Sequence, residues 1–317
     1  MSTSARGVLV SGSIIYDTLV YPAEDANWGT TTLVETIESH PGGNGANTSL
    51  ALAKIGMPVR VAGSVGKDDQ GRFVLDALRR SGVDTGFVAV SEAATAATVA
   101  LINRAGGRRF LHRMGVSESA FSEPIDFTLP LIDGMARYHL ASLFILPSLR
   151  AHAPETLARA RAAGLGTSLD TNWDPQGRWF EDVRPCLPHL DIIFMNEDEA
   201  RMATGSAVPA EAARCLLGCG ARMAVIKLGA EGCAVYTNEG EFRCPAFDVE
   251  AKDTTGAGDC FVGGFLAALL RGAAIADAAR YANAVGALTV QHVGGASGIP
   301  DGVDVEAWMR SAKVRAE

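Results

Sequence analysis

The alternation of short apolar segments with longer segments of helical periodicity is what most constrains the fold of this chain. Six segments rich in Val and Ile predict buried strands: Gly7–Ile15, Val59–Val65, Tyr138–Ser142, Thr167–Asp170, Ile192–Asn196 and Ala224–Leu228. Segments with apolar residues three or four positions apart predict helices between most of them: Ala46–Ile55, Gln70–Ser81, Ala153–Ala163 and Glu211–Leu217. Each helix is followed by a glycine suited to a C-terminal cap: Gly56, Gly82, Gly164 and Gly218. The alternation predicts an α/β fold with a mostly parallel sheet covered by helices on both faces.

Two segments interrupt this alternation. Tyr16–His40 is polar, and Ala94–Arg113 alternates like a hairpin around Gly106–Gly107. We predict that they form a small antiparallel lid attached to the main sheet. After Gly258 the pattern is helical again, and neither a repeat nor a flexible linker divides the chain. Residues 1–317 are therefore predicted to form a single domain, with lid segments at about 16–40 and 94–113.

The composition excludes several classes of function. The formal net charge is −8, the isoelectric point is near 5.3, and no cluster of Lys or Arg suggests a binding patch. Neither nucleic acid nor a membrane surface is therefore an expected partner. The six cysteines show no C-x-x-C spacing, which favours reduced thiols and argues against zinc. No apolar segment reaches the ~20 residues of a membrane span, and no signal peptide is evident. We expect a cytoplasmic protein.

The segment Asp253-Thr-Thr-Gly-Ala-Gly-Asp259 runs directly into the apolar helical segment Cys260–Leu270. Small residues at a helix start expose backbone N–H groups, which bind anions such as phosphate with the help of the helix dipole. Gly256 and Gly258 let a phosphate approach the backbone closely. A carboxylate at Asp259 could then accept the proton of an attacking hydroxyl. The alternative is that Asp259 only caps its helix, since Asp is favoured at that position.

A second glycine-rich segment, Pro41-Gly-Gly-Asn-Gly-Ala-Asn47, also opens a predicted helix. Taken alone, it is equally typical of a tight turn with an Asn cap. Together the two segments resemble the signatures of the ribokinase-like (PfkB) carbohydrate kinase family: GGNGANTSLALAKIG at residues 42–56 and DTTGAGDCFVGGFL at residues 253–266. The resemblance covers essentially the whole chain. It implies a three-layer α/β/α sandwich with a mostly parallel central sheet and a small β lid, and ATP-dependent phosphorylation of a sugar hydroxyl.

The resemblance also implies roles for the residues of the two signatures. Asp259 is the catalytic base of the implied reaction. Three backbone amides form the anion hole for the transferred phosphoryl group: those of Gly256, Ala257 and Gly258. Residues near the first strand and in the second glycine-rich segment are expected to hold the hydroxyls of the substrate: Asp17, Gly43 and Asn47.

The nucleotide and its metal are assigned, again by resemblance, to later segments. Lys227 and Gly229 are expected to border ATP, and Asn283 to lie near adenine. Asn196 and Glu199 match an N-x-x-E element that organises Mg²⁺ and phosphate, largely through water. The alternative for Glu199 is a solvated residue at a helix start.

A monovalent cation is a further expected ligand. A loop that binds such a cation in several members of the family is matched by Asp253 and by the backbone around Thr255, Thr289, Gly294 and Gly298. The resemblance therefore implies K⁺ beside the phosphate-binding segment, and activation of the enzyme by K⁺.

At three positions the chain departs from ribokinase-like enzymes. They often carry Asn where this chain has Ile15, Gly-Ala-Asn where it has Gly115-Val-Ser117, and an acidic residue near Ser142. The loss of polar groups there argues against ribose and favours a ketose, another furanose or a sugar acid. Three basic residues near the lid could meet a polar or anionic substrate, or form a solvated face: Arg109, His112 and Arg113.

Two other functions remain open from the sequence. A nucleoside kinase of the same family could stack its substrate on Trp28 or Phe110. A catalytically silent sugar-binding regulator could share the scaffold, although an intact Asp259 and its glycines argue against silence. A homodimer formed through the lid is the only protein partner that the resemblance suggests.

Overall fold

The computed structural model describes residues 7–24, 28–105 and 107–315, and a nine-stranded sheet forms its centre. The strands of this sheet are β1 (Gly7–Ser11), β4 (Val59–Gly66), β5 (Asp84–Ser91), β8 (Met135–Leu140), β9 (Gly166–Asp170), β10 (Ile192–Asn196), β11 (Met223–Lys227), β12 (Cys233–Thr237) and β13 (Gly240–Cys244). Their order is β13-β12-β11-β10-β9-β8-β1-β4-β5. Seven neighbouring strands, from β11 to β5, are parallel, and β12 and β13 add an antiparallel hairpin at one edge. The predicted mostly parallel sheet is confirmed.

Helices cover both faces of this sheet. They are α1 (Asn44–Lys54), α2 (Asp69–Arg80), α3 (Pro147–Ala162), α4 (Phe180–Val183), α5 (Glu197–Thr204), α6 (Pro209–Gly218), α7 (Ala257–Leu270), α8 (Ile275–Val290) and α9 (Val305–Ser311). Alternate strand residues enter two separate cores, as the pleat of a strand requires. In β10, Phe194 packs in the core that contains α1, α7 and α8, whereas Ile193 packs in the core with α3, α5 and α6. The result is a three-layer α/β/α sandwich.

The small β lid is a separate sheet of four strands. It contains β2 (Ile15–Tyr21), β3 (Thr36–Gly42), β6 (Ala97–Ile102) and β7 (Arg108–Arg113), in the order β3-β2-β6-β7. The pairs β2–β3 and β6–β7 are antiparallel, but the central pair β2–β6 is parallel. The prediction of an antiparallel lid is therefore wrong for its centre, because two hairpins from distant segments join side by side in the same direction.

Two predicted boundaries also differ from the structure. The segment predicted as one strand from Gly7 to Ile15 is divided, since β1 ends at Ser11 and Ile15 begins the lid. The division occurs at Gly12, where a Cβ atom would lie 2.9 Å from the backbone of α1. Gly218 does not cap α6 but is its last residue, and the positive φ of 114° occurs at Gly220 instead.

Several expectations drawn from composition concern the whole chain. Within the described ranges, no helix is long and apolar enough to cross a membrane. The six cysteine thiols are all free.

Candidate active site

The predicted anion hole lies at the start of α7. Gly256 has a φ of 69°, and a Cβ atom there would lie 2.9 Å from Nδ2 of Asn47, so both backbone conformation and space require glycine. The Ala257 amide donates to the Thr254 carbonyl across 3.3 Å. This amide would therefore have to leave the turn before it could join those of Gly256 and Gly258 around an anion.

Asp259 lies in the first turn of α7 and only 6% of its surface is exposed. Asn44 Nδ2 donates to Oδ1 of Asp259 at 2.8 Å, and Asn47 Nδ2 donates to Oδ2 at 2.9 Å. Both amides come from the start of α1, so the first signature holds the carboxylate of the second. Asn47 was expected to hold a substrate hydroxyl, whereas in the structure its amide nitrogen is bonded to Asp259.

Asn44 was missed from the sequence although it belongs to the same signature. The available signal was its spacing, because residues three apart in a helix share a face and Asn47 was already a candidate. Ser142 Oγ donates to Oδ1 of Asn44 at 3.0 Å, and the Oγ atoms of Ser13 and Ser142 are 2.8 Å apart. Ser142 thus orients the amide that holds Asp259.

The electrostatic environment makes Asp259 more basic than an ordinary aspartate. Burial raises its pKa to about 6, and the nearby carboxylate of Asp170 adds to the rise. Hydrogen bonds from Asn47 and Asn44 and the charge of Lys227 oppose it. The carboxylate is therefore mostly ionised at pH 7 and above, yet it accepts a proton more readily than an exposed aspartate does.

A buried ion pair lies beside this carboxylate. Lys227 Nζ, at the end of β11, is 2.8 and 3.1 Å from the two oxygens of Asp170, at the end of β9. A Cβ atom on Gly258 would lie 3.2 Å from the same Nζ, so the ammonium lies against the start of α7. Burial alone lowers the pKa of Lys227, but Asp170 and Glu199 outweigh it, and the pKa lies above its ordinary value.

Asp170 was also missed from the sequence. It is the last residue of a predicted strand, and the carboxyl ends of parallel strands are where α/β proteins place their ligands. That position was the signal that could have identified it.

Asn196 and Glu199 form a capping box at the start of α5. Asn196 Oδ1 accepts from the Glu199 amide, and Glu199 Oε2 accepts from the Asn196 amide, both at 2.8 Å. Glu199 is 6% exposed, so the alternative of a solvated residue is wrong. Burial raises the pKa of Glu199, with Asp170 adding to the rise and Lys227 opposing it.

The acidic residues of the site fit Mg²⁺ only in an indirect role. Among the described residues, no group of three or more His, Cys, Asp or Glu is arranged to hold a metal ion. Asp170 and Glu199 supply two carboxylates, and the former is already paired with Lys227. Such a set suits a Mg²⁺ ion that is held chiefly by phosphate oxygens and water.

A cavity of about 420 Å³ adjoins the start of α7. It is lined by all four residues predicted to bind the nucleotide: Asn196, Lys227, Gly229 and Asn283. Phe247 and Phe261 line its apolar part. Asn283 Nδ2 donates to the carbonyls of Cys244 and Pro245 at 3.0 and 3.1 Å, which fixes the cavity wall. The size and the mixture of apolar and polar walls suit a nucleotide.

Asp17 lies within lid strand β2 and not directly after the first strand of the main sheet. Burial raises its pKa to about 6, and a hydrogen bond from the Thr98 hydroxyl opposes the rise. A Cβ atom on Gly42 would overlap Oδ2 of Asp17, and one on Gly43, whose φ is 88°, would lie 2.6 Å from the Ser13 carbonyl. Gly42 therefore makes the room that the Asp17 carboxylate occupies, whereas Gly43 makes room for the backbone of Ser13.

The residues considered for other substrates are placed less favourably. Trp28 is fully exposed and Phe110 is 57% exposed, so neither lies in a pocket. Arg113 donates to Gln70 Oε1 and to the Thr95 carbonyl, which fixes it at the base of the lid. His112 Nδ1 lies 3.0 Å from Thr98 Oγ1, the same hydroxyl that bonds to Asp17.

At the expected site of a monovalent cation, the side chains of Asp253 and Thr255 bind an arginine. Arg108 Nη2 donates to Oδ1 of Asp253 at 2.7 Å, and Arg108 Nη1 donates to Oγ1 of Thr255 at 2.5 Å. Burial raises the pKa of Asp253, but hydrogen bonds from the amides of Thr255 and Gly294 and the charge of Arg108 hold it below its ordinary value. A guanidinium in this position does not fit a free cation at the same carboxylate.

Comparisons with known proteins agree with this geometry. The model of the pfkB family of carbohydrate kinases matches residues 5–302. A probable fructokinase-5 from Arabidopsis thaliana is 29% identical over 287 residues, covering 86% of this chain and 88% of the relative. An aminoimidazole riboside kinase from Salmonella typhimurium is 31% identical over 272 residues, covering 82% and 85%. The structure of Arabidopsis thaliana ribokinase with ribose and ATP matches the fold with a TM-score of 0.84 at 24% identity, covering 96% of this chain and 99% of that chain. The chain therefore belongs to the pfkB family of carbohydrate kinases.

Proposed function

We propose that the protein transfers the γ-phosphoryl group of ATP to a hydroxyl of a sugar, namely a ketose, another furanose or a sugar acid, with Asp259 as the general base. The observation that carries the proposal is the pair of amides on the buried Asp259 carboxylate. A carboxylate that only capped α7 would accept amides of its own first turn. Here both oxygens are fixed by side chains of α1, which suits a group held ready for chemistry.

The proposed step moves one proton and one phosphoryl group. The substrate hydroxyl attacks the γ-phosphorus in line, its proton passes to an Asp259 oxygen, and the bond to the bridging oxygen breaks to release ADP. Each Asp259 oxygen accepts one amide bond and keeps a lone pair for this proton. A positioned base of this kind contributes roughly 10²–10⁴-fold to the rate.

The remaining contribution to the rate is stabilisation of the negative charge on the phosphoryl oxygens. The amides of Gly256 and Gly258 and the Lys227 ammonium lie at the start of α7, next to the nucleotide cavity. Lys227 uses two of its three N–H donors on Asp170, which leaves a third for a phosphate oxygen. Mg²⁺, when bound with ATP, neutralises further phosphate charge, and Asp170 and Glu199 are the carboxylates that would hold its water shell.

Asp17 supports a polyhydroxylated substrate. It is buried in the lid, and a hydrogen bond to an ionised group contributes about 1.5–3 kcal/mol. Thr98 supplies one donor to the Asp17 carboxylate, and a vicinal pair of hydroxyls would supply the others. An acceptor without that pair would leave part of a buried charge unsatisfied and should be rejected.

A riboside is the second candidate, and the relative named as an aminoimidazole riboside kinase favours it. A riboside presents the same pair of vicinal hydroxyls to Asp17 as a furanose does. The two candidates differ at the base, for which the exposed Trp28 and Phe110 offer no enclosed stacking surface.

We also propose that two copies associate through their lids. The lid strands expose three large apolar side chains, at 67% for Ile37 and 57% for both Phe110 and Leu111. Phe110 and Leu111 follow each other in β7 and therefore point to opposite faces of the lid sheet, whereas the strand register places Ile37 and Leu111 on the same face. Exposed apolar side chains on one face are typical of interaction surfaces. Light scattering should give the mass of a dimer for the native protein and of a monomer for the Ile37→Ser/Leu111→Ser double variant. A monomer at all concentrations in the native protein would contradict this proposal.

A coupled ADP-release assay across hexoses, pentoses, sugar acids and ribosides tests the proposed function. ADP release that depends on a sugar supports it. Release with ribosides alone would favour the second candidate. If no acceptor causes ADP release, although the protein still binds ATP, the silent regulator is favoured.

A further inference from the structure

Arg108 links the lid to residues 253–258, the segment before and at the start of α7 that we call the phosphate-binding turn. It is the first residue of β7, an edge strand of the lid, and its two terminal nitrogens donate to Asp253 and Thr255. These partners lie immediately before Gly256, where the predicted anion hole begins. The Asp253 side chain is 3% exposed and the Arg108 side chain 21% exposed, so the ion pair is well shielded from solvent.

Asp253 is in turn the point at which two loops meet. Its Oδ1 accepts from the Thr255 amide at 2.8 Å, within the phosphate-binding turn. Its Oδ2 accepts from the Gly294 amide at 3.0 Å, at the start of the 294–298 loop. A buried carboxylate that holds two loops requires a nearby positive charge, because an unpaired buried charge is strongly destabilising. In this chain the guanidinium of the lid supplies that charge.

We propose that Arg108 is a built-in cation that replaces a free monovalent cation and couples the position of the lid to the order of the phosphate-binding turn. The inference rests on the proposed kinase function. Asp17, which we propose holds the substrate hydroxyls, lies in the same four-stranded sheet as Arg108. Substrate held by the lid therefore stabilises, through one ion pair, the turn that receives the phosphoryl group. Arg108 acts through Asp253 and is a positioning residue, not a catalytic one.

The inference predicts an unusual response to salt. The native enzyme should turn over at equal rates in K⁺, Na⁺ and tetramethylammonium at constant ionic strength. Arg108→Gln should lose on the order of 10–100-fold in kcat, the equivalent of one charge-assisted contact. The variant, unlike the native enzyme, should then be activated by K⁺ or by millimolar guanidinium, since either can take the place of the missing guanidinium beside the Asp253 carboxylate.

Arg104→Gln is the matched control. Arg104 is also a lid arginine in an ion pair, but its partner Glu35 lies beside the lid and not on the phosphate-binding turn. It should behave like the native enzyme in every salt. Should Arg108→Gln fail to fold, Arg108→Met, which removes the charge and keeps an unbranched side chain, serves the same comparison.

Hydrogen exchange measured on the ADP-bound protein gives a readout that needs no acceptor. Exchange over residues 253–258 should quicken in Arg108→Gln, recover with K⁺ or guanidinium, and stay at the native rate in Arg104→Gln. Unchanged exchange in Arg108→Gln would overturn the inference, and so would K⁺ activation of the native enzyme. If no acceptor is ever phosphorylated, the proposed function fails, while the exchange experiment still decides whether Arg108 orders the turn.

Discussion

The buried charge of Asp259 should destabilise the folded protein, and Asp259→Asn should recover part of that stability. Burial raises the pKa of Asp259 from its ordinary 3.8 to about 6, so the folded state holds this proton more tightly than the unfolded chain. The cost is therefore fully developed above pH 6 and fades as the pH falls towards 4. Each tenfold change in acidity is worth about 1.4 kcal/mol, which places the full cost at about 3 kcal/mol.

Asparagine at position 259 removes the charge but also disturbs one hydrogen bond. Asn44 and Asn47 both donate to the carboxylate, and the new amide nitrogen would oppose one of these donors. One lost hydrogen bond costs about 1 kcal/mol. The variant should therefore be about 2 kcal/mol more stable than the native protein at pH 8 and nearly equal to it at about pH 4.5.

Urea unfolding of both proteins at the two pH values measures this difference. Asp76→Asn is the matched control, because Asp76 is 59% exposed and its contact with Arg79 is a surface pair of little value. A variant that is less stable than native at pH 8, or a difference that does not change with pH, would show that Asp259 does not carry a buried charge.

Three further predictions concern kinetics. Asp17→Ala should raise KM for the acceptor at least ~10-fold, because one charge-assisted contact is lost, and should leave KM for ATP unchanged. An acceptor KM equal to that of the native enzyme would show that Asp17 does not bind the acceptor. The pKa values of Asp17 and Asp259 are both raised to about 6, so both carboxylates take up a proton below that pH. A plot of log kcat/KM against pH should therefore fall with a slope near two below pH 6 in the native enzyme and near one in Asp17→Asn. Equal slopes in the two proteins would contradict this prediction. Lys227→Met should lower kcat ~10²-fold, because the ammonium no longer stabilises negative charge on the phosphoryl oxygens, while acceptor binding measured by calorimetry stays unchanged. A kcat within twofold of the native value would exclude this role for Lys227.

The layered fold could be predicted from the sequence because most of the predicted strands are bounded by local signals. β10 agrees with its predicted bounds, from Ile192 to Asn196, since a short apolar run ends at a polar residue that caps the next helix. The division between β1 and β2 was missed because the apolar run continues through Ile15. Only the approach of α1 to Gly12, a tertiary contact, shows where the chain leaves the main sheet.

Within the site, residues that belong to a contiguous motif were identified, and those that meet only in the folded protein were not. Gly256 and Asp259 belong to one short segment, and the sequence is enough to predict an anion site with a carboxylate at the start of a helix there. Arg108 contacts Asp253 across 145 positions, and nothing local to an exposed lid strand indicates that partner. Asp170 likewise gains its importance from Lys227, which lies two strands away in the same sheet.

Transfer of labelled phosphoryl from γ-³²P-ATP to an acceptor, followed in a single turnover at pH 7.5, tests the central claim most directly. We expect the native enzyme to label a polyhydroxylated sugar, and Asp259→Asn to bind ATP and acceptor with native affinity while transferring at least ~10²-fold more slowly. Transfer by Asp259→Asn within a few-fold of the native rate would contradict the account and reduce Asp259 to a structural residue at the start of its helix.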